Sequence, residues 1–343
     1  MSSSGDSTTI PIRFVQELLS VSSCTSDKGL AWVGRAGIAP NLLVLRNARV
    51  TVEQFARLYR KIAAEADDET PGFFSRPLRN GTLKFLCLGM LGATNLNVAL
   101  YRFSGFFRLV LEDISFDLAR SDVSLRMALT EKKDLGAHRI LILELMLMLV
   151  QGVASWMVGS RIAFPRIDLA YPAPPHVADY MHLYPGPVHF NQPVTALYFD
   201  LPCLDMPIRQ DKAALSAFLR KAPAGWMYVS LKERQTTHRV RDYLREHLDT
   251  LQTIDDTARA LHLSTRTLAR RLAAEGTRFQ MIKDTLRRDI AIDLICRTDR
   301  PIAAIGTCLG FDDPTAFNRA FRHWTGSPPG AYRKGAHVPS VAK

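Results

Sequence analysis

The chain has 343 residues, 47% of them hydrophobic and 22% charged, with a formal net charge of +11. That length predicts two domains, and the hydrophobic share excludes a disordered or fibrous chain. The charge is uneven: residues 234–343 carry a net +7 against +4 for the 233 before them, so the C-terminal part is the basic one, as contact with nucleic-acid phosphates requires.

In chain order, residues 1–9 are polar, lack a secretory signal pattern and are expected to be disordered. A short helix is expected over 14–20. The stretch 51–64 predicts an amphipathic helix, capped by Thr51, with Val52, Phe55, Leu58, Tyr59 and Ile62 on one face. An acidic loop follows. Residues 95–109 predict another helix, on which Leu96, Ala99, Leu100, Phe103, Phe106 and Phe107 recur at helical spacing and read as core rather than as a pocket lining. Alternation at 110–118 and 124–129 predicts strands.

Residues 140–158 are almost all apolar and long enough to span a bilayer. Glu144 and Gln151 lie inside the stretch, and a charge at the middle of a membrane is costly. It therefore reads as a central buried helix, with Glu144 expected to form a salt bridge at the domain surface or, in the competing reading, to face a cavity where it could anchor a ligand. Beyond it, Ile167, Leu169 and Tyr171 alternate, a short helix is expected over 177–183, and strands over 188–190 and 195–199. Residues 211–221 predict an amphipathic helix with Ala214, Leu215, Phe218 and Leu219 inward. Strands alternating with helices predict a mixed α/β domain over 10–225, followed by a linker over 226–236.

The five cysteines (Cys24, Cys87, Cys203, Cys296 and Cys308) form no CxxC pair and read as reduced thiols of a cytoplasmic protein. His176, His182 and His189 lie near Asp179, but spacings of six and seven match no metal motif, so no metal and no cofactor is expected. No nucleophile elbow, P-loop or dinucleotide fingerprint is present, and no catalytic residue is proposed from the sequence.

The tail is the most informative part. In 253–276 (TIDDTARALHLSTRTLARRLAAEG), Ile254, Ala258 and Leu261 line a short helix, Ser264 is a good N-cap, and Leu268 and Leu272 mark the inner face of a second helix. Thr265, Arg266, Ala269 and Arg270 project away from that face. A longer helix over 279–296 carries Ile282, Leu286, Ile290 and Leu294 at a spacing of four. In 310–333 (GFDDPTAFNRAFRHWTGSPPGAYR), Asp312 and Asp313 are cap candidates and Pro314 fits the first helical position. Phe317, Ala320, Phe321 and Trp324 then share one face, and Thr315, Asn318, Arg319 and Arg322 the other. Gly326, Pro328 and Pro329 end the helix. Helix, tight turn, helix occurs twice, with a joining helix: an all-α C-terminal domain over 237–335, then a flexible tail over 336–343. Asn suits adenine and Arg suits guanine or phosphate, so these outer faces suit DNA.

These residues resemble the DNA-binding domain of the AraC/XylS family of bacterial transcription regulators. The signature stands here as Ile302, Ile305, Gly310, Phe311, Asp312, Phe317, Arg319, Phe321, Gly326, Ser327, Pro328, Tyr332 and Arg333. The resemblance implies two recognition helices in successive major grooves, with contacts from Arg266, Ala269 and Arg270 and from Pro314, Thr315, Asn318 and Arg319. Two positions depart from the pattern. Ala269 stands where a longer polar side chain is common. Gly306 stands mid-helix, at about 1 kcal/mol in helix propensity, which points to close packing there.

The N-terminal half, through LGATNLNVAL, AYPAPPHVADY, PVHFNQP and DMPI, resembles the effector domain of an AraC-type subgroup named after arabinose binding. The name does not carry a ligand over, and no effector-binding residue can be assigned. The resemblance implies a ligand-responsive activator with promoter DNA, RNA polymerase and a small effector as partners, able to form a homodimer, and without a membrane. An enzyme or a membrane-tethered sensor fused to a DNA-binding tail is the competing reading.

Overall fold

The computed structural model describes residues 8–22, 27–174, 177, 180–184, 186–227, 236–248, 250, 252–275 and 277–333. The elements run β1 (Thr9–Pro11), α1 (Arg13–Val21), α2 (Asp27–Arg35), β2 (Arg49–Thr51), α3 (Val52–Ala66), α4 (Thr82–Leu91), α5 (Leu96–Val110), β3 (Ile114–Arg120), β4 (Ser124–Glu131) and α6 (Arg139–Val158). Next come β5 (Arg166–Asp168), α7 (Tyr180–Leu183), β6 (Val188–His189), β7 (Thr195–Asp200), α8 (Leu201–Leu204), α9 (Lys212–Lys221) and α10 (Ala224–Met227). The remainder is helical: α11 (Thr236–Glu246), α12 (Ile254–Ala260), α13 (Thr265–Ala274), α14 (Phe279–Arg297), α15 (Ile302–Cys308) and α16 (Pro314–Thr325). A mixed α/β N-terminal half and an all-α C-terminal half with two helix-turn-helix units is the fold class expected from the sequence.

Two compact units emerge, one from Met1–Gln16, Thr25–Phe55 and Lys232–Lys343, the other from Glu17–Cys24 and Ala56–Leu231. In the second, a sheet of order β3-β4-β7-β5-β6 is antiparallel except at β5–β6. Leu125 pairs with Phe199 and Met127 with Leu197, and all four are buried, which fixes the inward face of the central strands. Helix α6 is apolar on every side and buried on nearly every side, as a helix at the centre of a domain must be. Among the described residues it is the one helix long and apolar enough to cross a membrane. Glu144 is fully buried on it, away from the domain surface: the Tyr180 hydroxyl donates to its carboxylate, and the Tyr184 hydroxyl donates to its backbone oxygen at 3.2 Å.

The first unit joins the C-terminal helices to an N-terminal piece of chain, including the antiparallel pair β1–β2 with Ile10 opposite Val50. Thr9 is thus buried in a strand, one residue inside the tail expected to be disordered. Trp226, the expected start of the linker, is buried in α10, while 228–235 lie outside the described residues. So do Cys24, His176, Asp179 and 336–343. Cys87 and Cys296 are buried, and burial pushes the Cys87 thiol up to about 12. Cys308 is exposed, because it lies at the end of α15 away from the packed face of Ile305 and Gly306.

Candidate DNA interface

The first reader is α12, a tight turn and α13. Thr253 and Asp256 form a reciprocal capping box at the start of α12, and Ser264 accepts from the Thr267 amide at 3.1 Å to start α13. Between them His262 takes a left-handed φ of 56°, which turns the chain. Leu268 and Leu272 of α13 pack into an aliphatic core with Val240, Leu244, Ala258, Ile282 and Leu286. That burial leaves Arg266, Ala269 and Arg270 exposed on the opposite face, where the sequence placed them. Thr265 is half-buried and its hydroxyl donates to Asp255, so it ties the two helices of the unit together. Arg271, exposed on the flank, was not singled out by the sequence.

The second reader is α15, a turn at Gly310 and α16. Asp313, not Asp312, is the N-cap: its carboxylate accepts from the Thr315 and Ala316 amides at 2.9 and 3.2 Å. Those backbone donors hold its pKa below the usual carboxylate value. Gly326 ends the helix at a φ of 72°. The core is aromatic. Phe317 lies 5.5 Å from Phe311 and 5.8 Å from Phe321, which is 5.2 Å from Tyr332. Gly306 explains its own departure from the family pattern: a Cβ there would sit 3.1 Å from the Cβ of Phe317. Pro314, Thr315, Asn318, Arg319 and Arg322 are all exposed. Asn318 spends one amide hydrogen on the Pro314 carbonyl at 2.8 Å and keeps its carbonyl oxygen on the open face. His323 shares that face, four residues after Arg319, so helical spacing alone identifies it.

Helix α14 joins the readers. Ile282 and Leu286 are buried as expected, but Ile290 and Leu294 are only half-buried, and Asp289, Ile292, Ile295 and Cys296 are buried instead. A strict spacing of four drifts by about 40° per step against a 3.6-residue turn, and α14 is packed on more than one side. Asp289 is 2% exposed and accepts from the Thr9 hydroxyl at 2.6 Å and from Arg288 at 3.0 Å, with Arg241 at 3.8 Å. Burial alone would raise its pKa, but Arg288, Arg49 and Arg241 outweigh burial and hold it low. Arg49 in turn donates to Thr9 at 2.8 and 2.9 Å. The motif residues Tyr332 and Arg333 also have internal work. The Tyr332 hydroxyl accepts from the Arg49 amide at 3.0 Å, and Arg333 donates to the carbonyls of Ile295, Thr298 and Arg300, closing the C-terminal end of α14.

Two exposed basic helix faces, each backed by its own core, define a double helix-turn-helix DNA-binding protein. Known proteins agree. Residues 30–208 match the model of the arabinose-binding domain of AraC transcription regulators, and residues 257–335 match a helix-turn-helix domain. The chain therefore belongs to the AraC family of transcription regulators, a family of regulators rather than enzymes. It is 26% identical to an ornithine utilization regulator of Pseudomonas aeruginosa over 95% of this chain and 96% of that one. It is 30% identical to the transcriptional activator NphR of a Rhodococcus species over 41% of this chain and 45% of that one. A crystal structure of the transcriptional regulator CdpR from Pseudomonas aeruginosa aligns at a TM-score of 0.30 and 19% identity, over 94% of this chain and 97% of that one.

Proposed function

We propose that the protein is an effector-responsive activator that sets α13 and α16 in two adjacent major grooves of promoter DNA and engages RNA polymerase in the cytoplasm. The observation that carries this reading is the exposure of Asn318, Arg319 and Arg322 on one helix and of Arg266 and Arg270 on another, each helix fixed by buried side chains behind it. Asn318 and Arg319 read bases, since both side chains offer paired polar atoms that match a base edge. Arg266 and Arg270 hold phosphate and guanine, and Ala269 meets bases only through its methyl group. Pro314 and Thr315 bring the start of α16 against the backbone, and Arg322 meets it about two turns further along the same helix. The second unit binds the effector and supports a homodimer; no chemistry is catalysed and no metal or cofactor is needed.

The test is selection of DNA fragments by the purified full-length protein, followed by sequencing. A bipartite motif with halves about ten base pairs apart is expected for two readers on one face of the duplex. A second copy of that motif marks the homodimer. A single undivided half-site would remove one of the two readers, and no enriched sequence with or without added metabolite extract would remove the reading.

A further inference from the structure

The unit formed by Glu17–Cys24 and Ala56–Leu231 contains a cavity of about 330 Å³. That size falls within the range of small-molecule sites. Its floor is apolar, made by Phe107, Met146 and Leu149 together with Leu86, and Trp226 closes one wall. Phe107, plain core on sequence grounds, therefore serves both as core and as lining.

Three charged side chains border the cavity: Arg60, Glu69 and Lys84. Glu69 is committed to the protein. Its two carboxylate oxygens accept the Gly81 and Leu83 amides at 2.7 and 2.6 Å, and so hold the start of α4. The remaining charged side chains of the lining are half-buried Arg60 and exposed Lys84. Among its contacts within the protein, Arg60 donates to the Ala222 carbonyl at 2.9 Å. Ala222 lies at the corner between α9 and α10, and Pro223 beside it also lines the cavity. Helix α10 is pressed onto α6: a Cβ on Gly152 would come within 2.1 Å of the Trp226 carbonyl oxygen. After α10 the chain runs on to α11 and the DNA-reading unit.

We propose that this cavity is the effector site, and that its ligand is a mainly apolar monocarboxylate whose body lies on Phe107, Met146 and Leu149 and whose carboxylate meets Arg60 and Lys84. The inference deepens the effector-responsive reading above and rests on it. A carboxylate competes with the Ala222 carbonyl for Arg60, because a guanidinium bonds an anion more strongly than a neutral carbonyl. Occupancy is thereby felt at the α9–α10 corner, the last piece of this unit before the chain enters the other.

The experiment uses full-length protein and four probes below their micellar range: decanoate, 4-phenylbutyrate, decan-1-ol and decylamine. Binding is followed by calorimetry and by tryptophan fluorescence, and DNA affinity is measured on the selected site with and without probe. The carboxylates are expected to bind saturably, one per chain, at least tenfold more tightly than the alcohol, with no binding of the amine. Arg60→Gln should reduce the preference of acid over alcohol at least threefold, and Arg60→Gln with Lys84→Gln should abolish it while the alcohol still binds. Ala63→Phe should block both, and Leu149→Phe does the same job if Ala63→Phe fails to fold by circular dichroism. Bound carboxylate should shift DNA affinity at least fivefold, and DNA should shift carboxylate affinity by the same factor.

The proposal is overturned by absence of carboxylate binding, by equal binding of alcohol or amine, by full binding to the filled variants, or by carboxylate binding that leaves DNA affinity unchanged. Loss of the DNA-reading interpretation looks different: no DNA is retained in any condition, while the four probes still report on the cavity.

Discussion

The two readers share one backbone plan and differ in what stands behind them. The first rests on an aliphatic core drawn from a continuous stretch, Val240 to Leu286, and its caps are supplied by residues three positions away. The second rests on aromatic rings and reaches far along the chain: Tyr332 accepts from the Arg49 amide, and the Asn41 side chain donates to the Ala331 carbonyl at 3.0 Å. Its outer face is also richer, with Asn318, Arg319 and His323 where the first reader has Arg266, Ala269 and Arg270. A helix-turn-helix can therefore be locally complete or can borrow its footing, and the one that borrows exposes the more varied polar side chains.

The largest effect expected is in the cores. Phe321→Ala should cost about 3–5 kcal/mol and Leu272→Ala about 2–5 kcal/mol in urea unfolding, with the aromatic site the worse of the two. Equal, small losses would erase the contrast. Asp289→Asn should cost about 3–5 kcal/mol, since it leaves Arg288, Arg241 and Arg49 gathered around an uncharged buried group.

The sign of the Asp289 pH dependence follows from its lowered pKa. A depressed carboxylate stabilises the fold above its unfolded value of about 3.9 and loses that contribution as pH falls through the lower folded value. The wild-type chain should therefore lose this stability only in strong acid, and Asp289→Asn should remove that part of the acid slope. An unchanged slope in the variant would show that Asp289 is not held ionised.

Smaller is Tyr332→Phe, which strips the acceptor from a buried Arg49 amide and should cost about 1–3 kcal/mol. Hydrogen exchange should quicken at Arg49 and across α16 but not in α13; equal change in both helices would break the distinction between borrowed and local footing. On DNA, Arg319→Ala should cost about 1–3 kcal/mol at a single base position, whereas Arg270→Ala should weaken all sequences alike and lower the salt slope by about one. Binding selections at two salt concentrations distinguish these, and exchanged outcomes would reverse the roles of the two readers.

Much is legible in the sequence, because helix caps and inner faces are short-range. Ser264, Pro314, Phe317, Phe321 and Gly326 act over one or two turns, and their spacing alone marks both readers and the residues they expose. The long apolar run at α6 likewise announces a buried helix. Less was legible wherever partners lie far apart in the chain. Asp289 looks like one more charge on an amphipathic helix until Thr9 and Arg49 arrive beside it, and Arg333 is only a motif residue until it closes α14.

The cavity shows the same limit. Its lining comes from α3, α4, α5, α6, α9 and α10, and none of those segments signals a pocket by itself. The sequence determined where the two reader helices start and stop and which side chains they expose, since these follow from backbone capping and the 3.6-residue period; α4 was not among the helices it announced. Only the tertiary structure decided that residues 25–55 stand with the C-terminal helices, that Glu144 is met by tyrosines, and that a space closes beside Trp226, because each depends on which distant surfaces exclude water together.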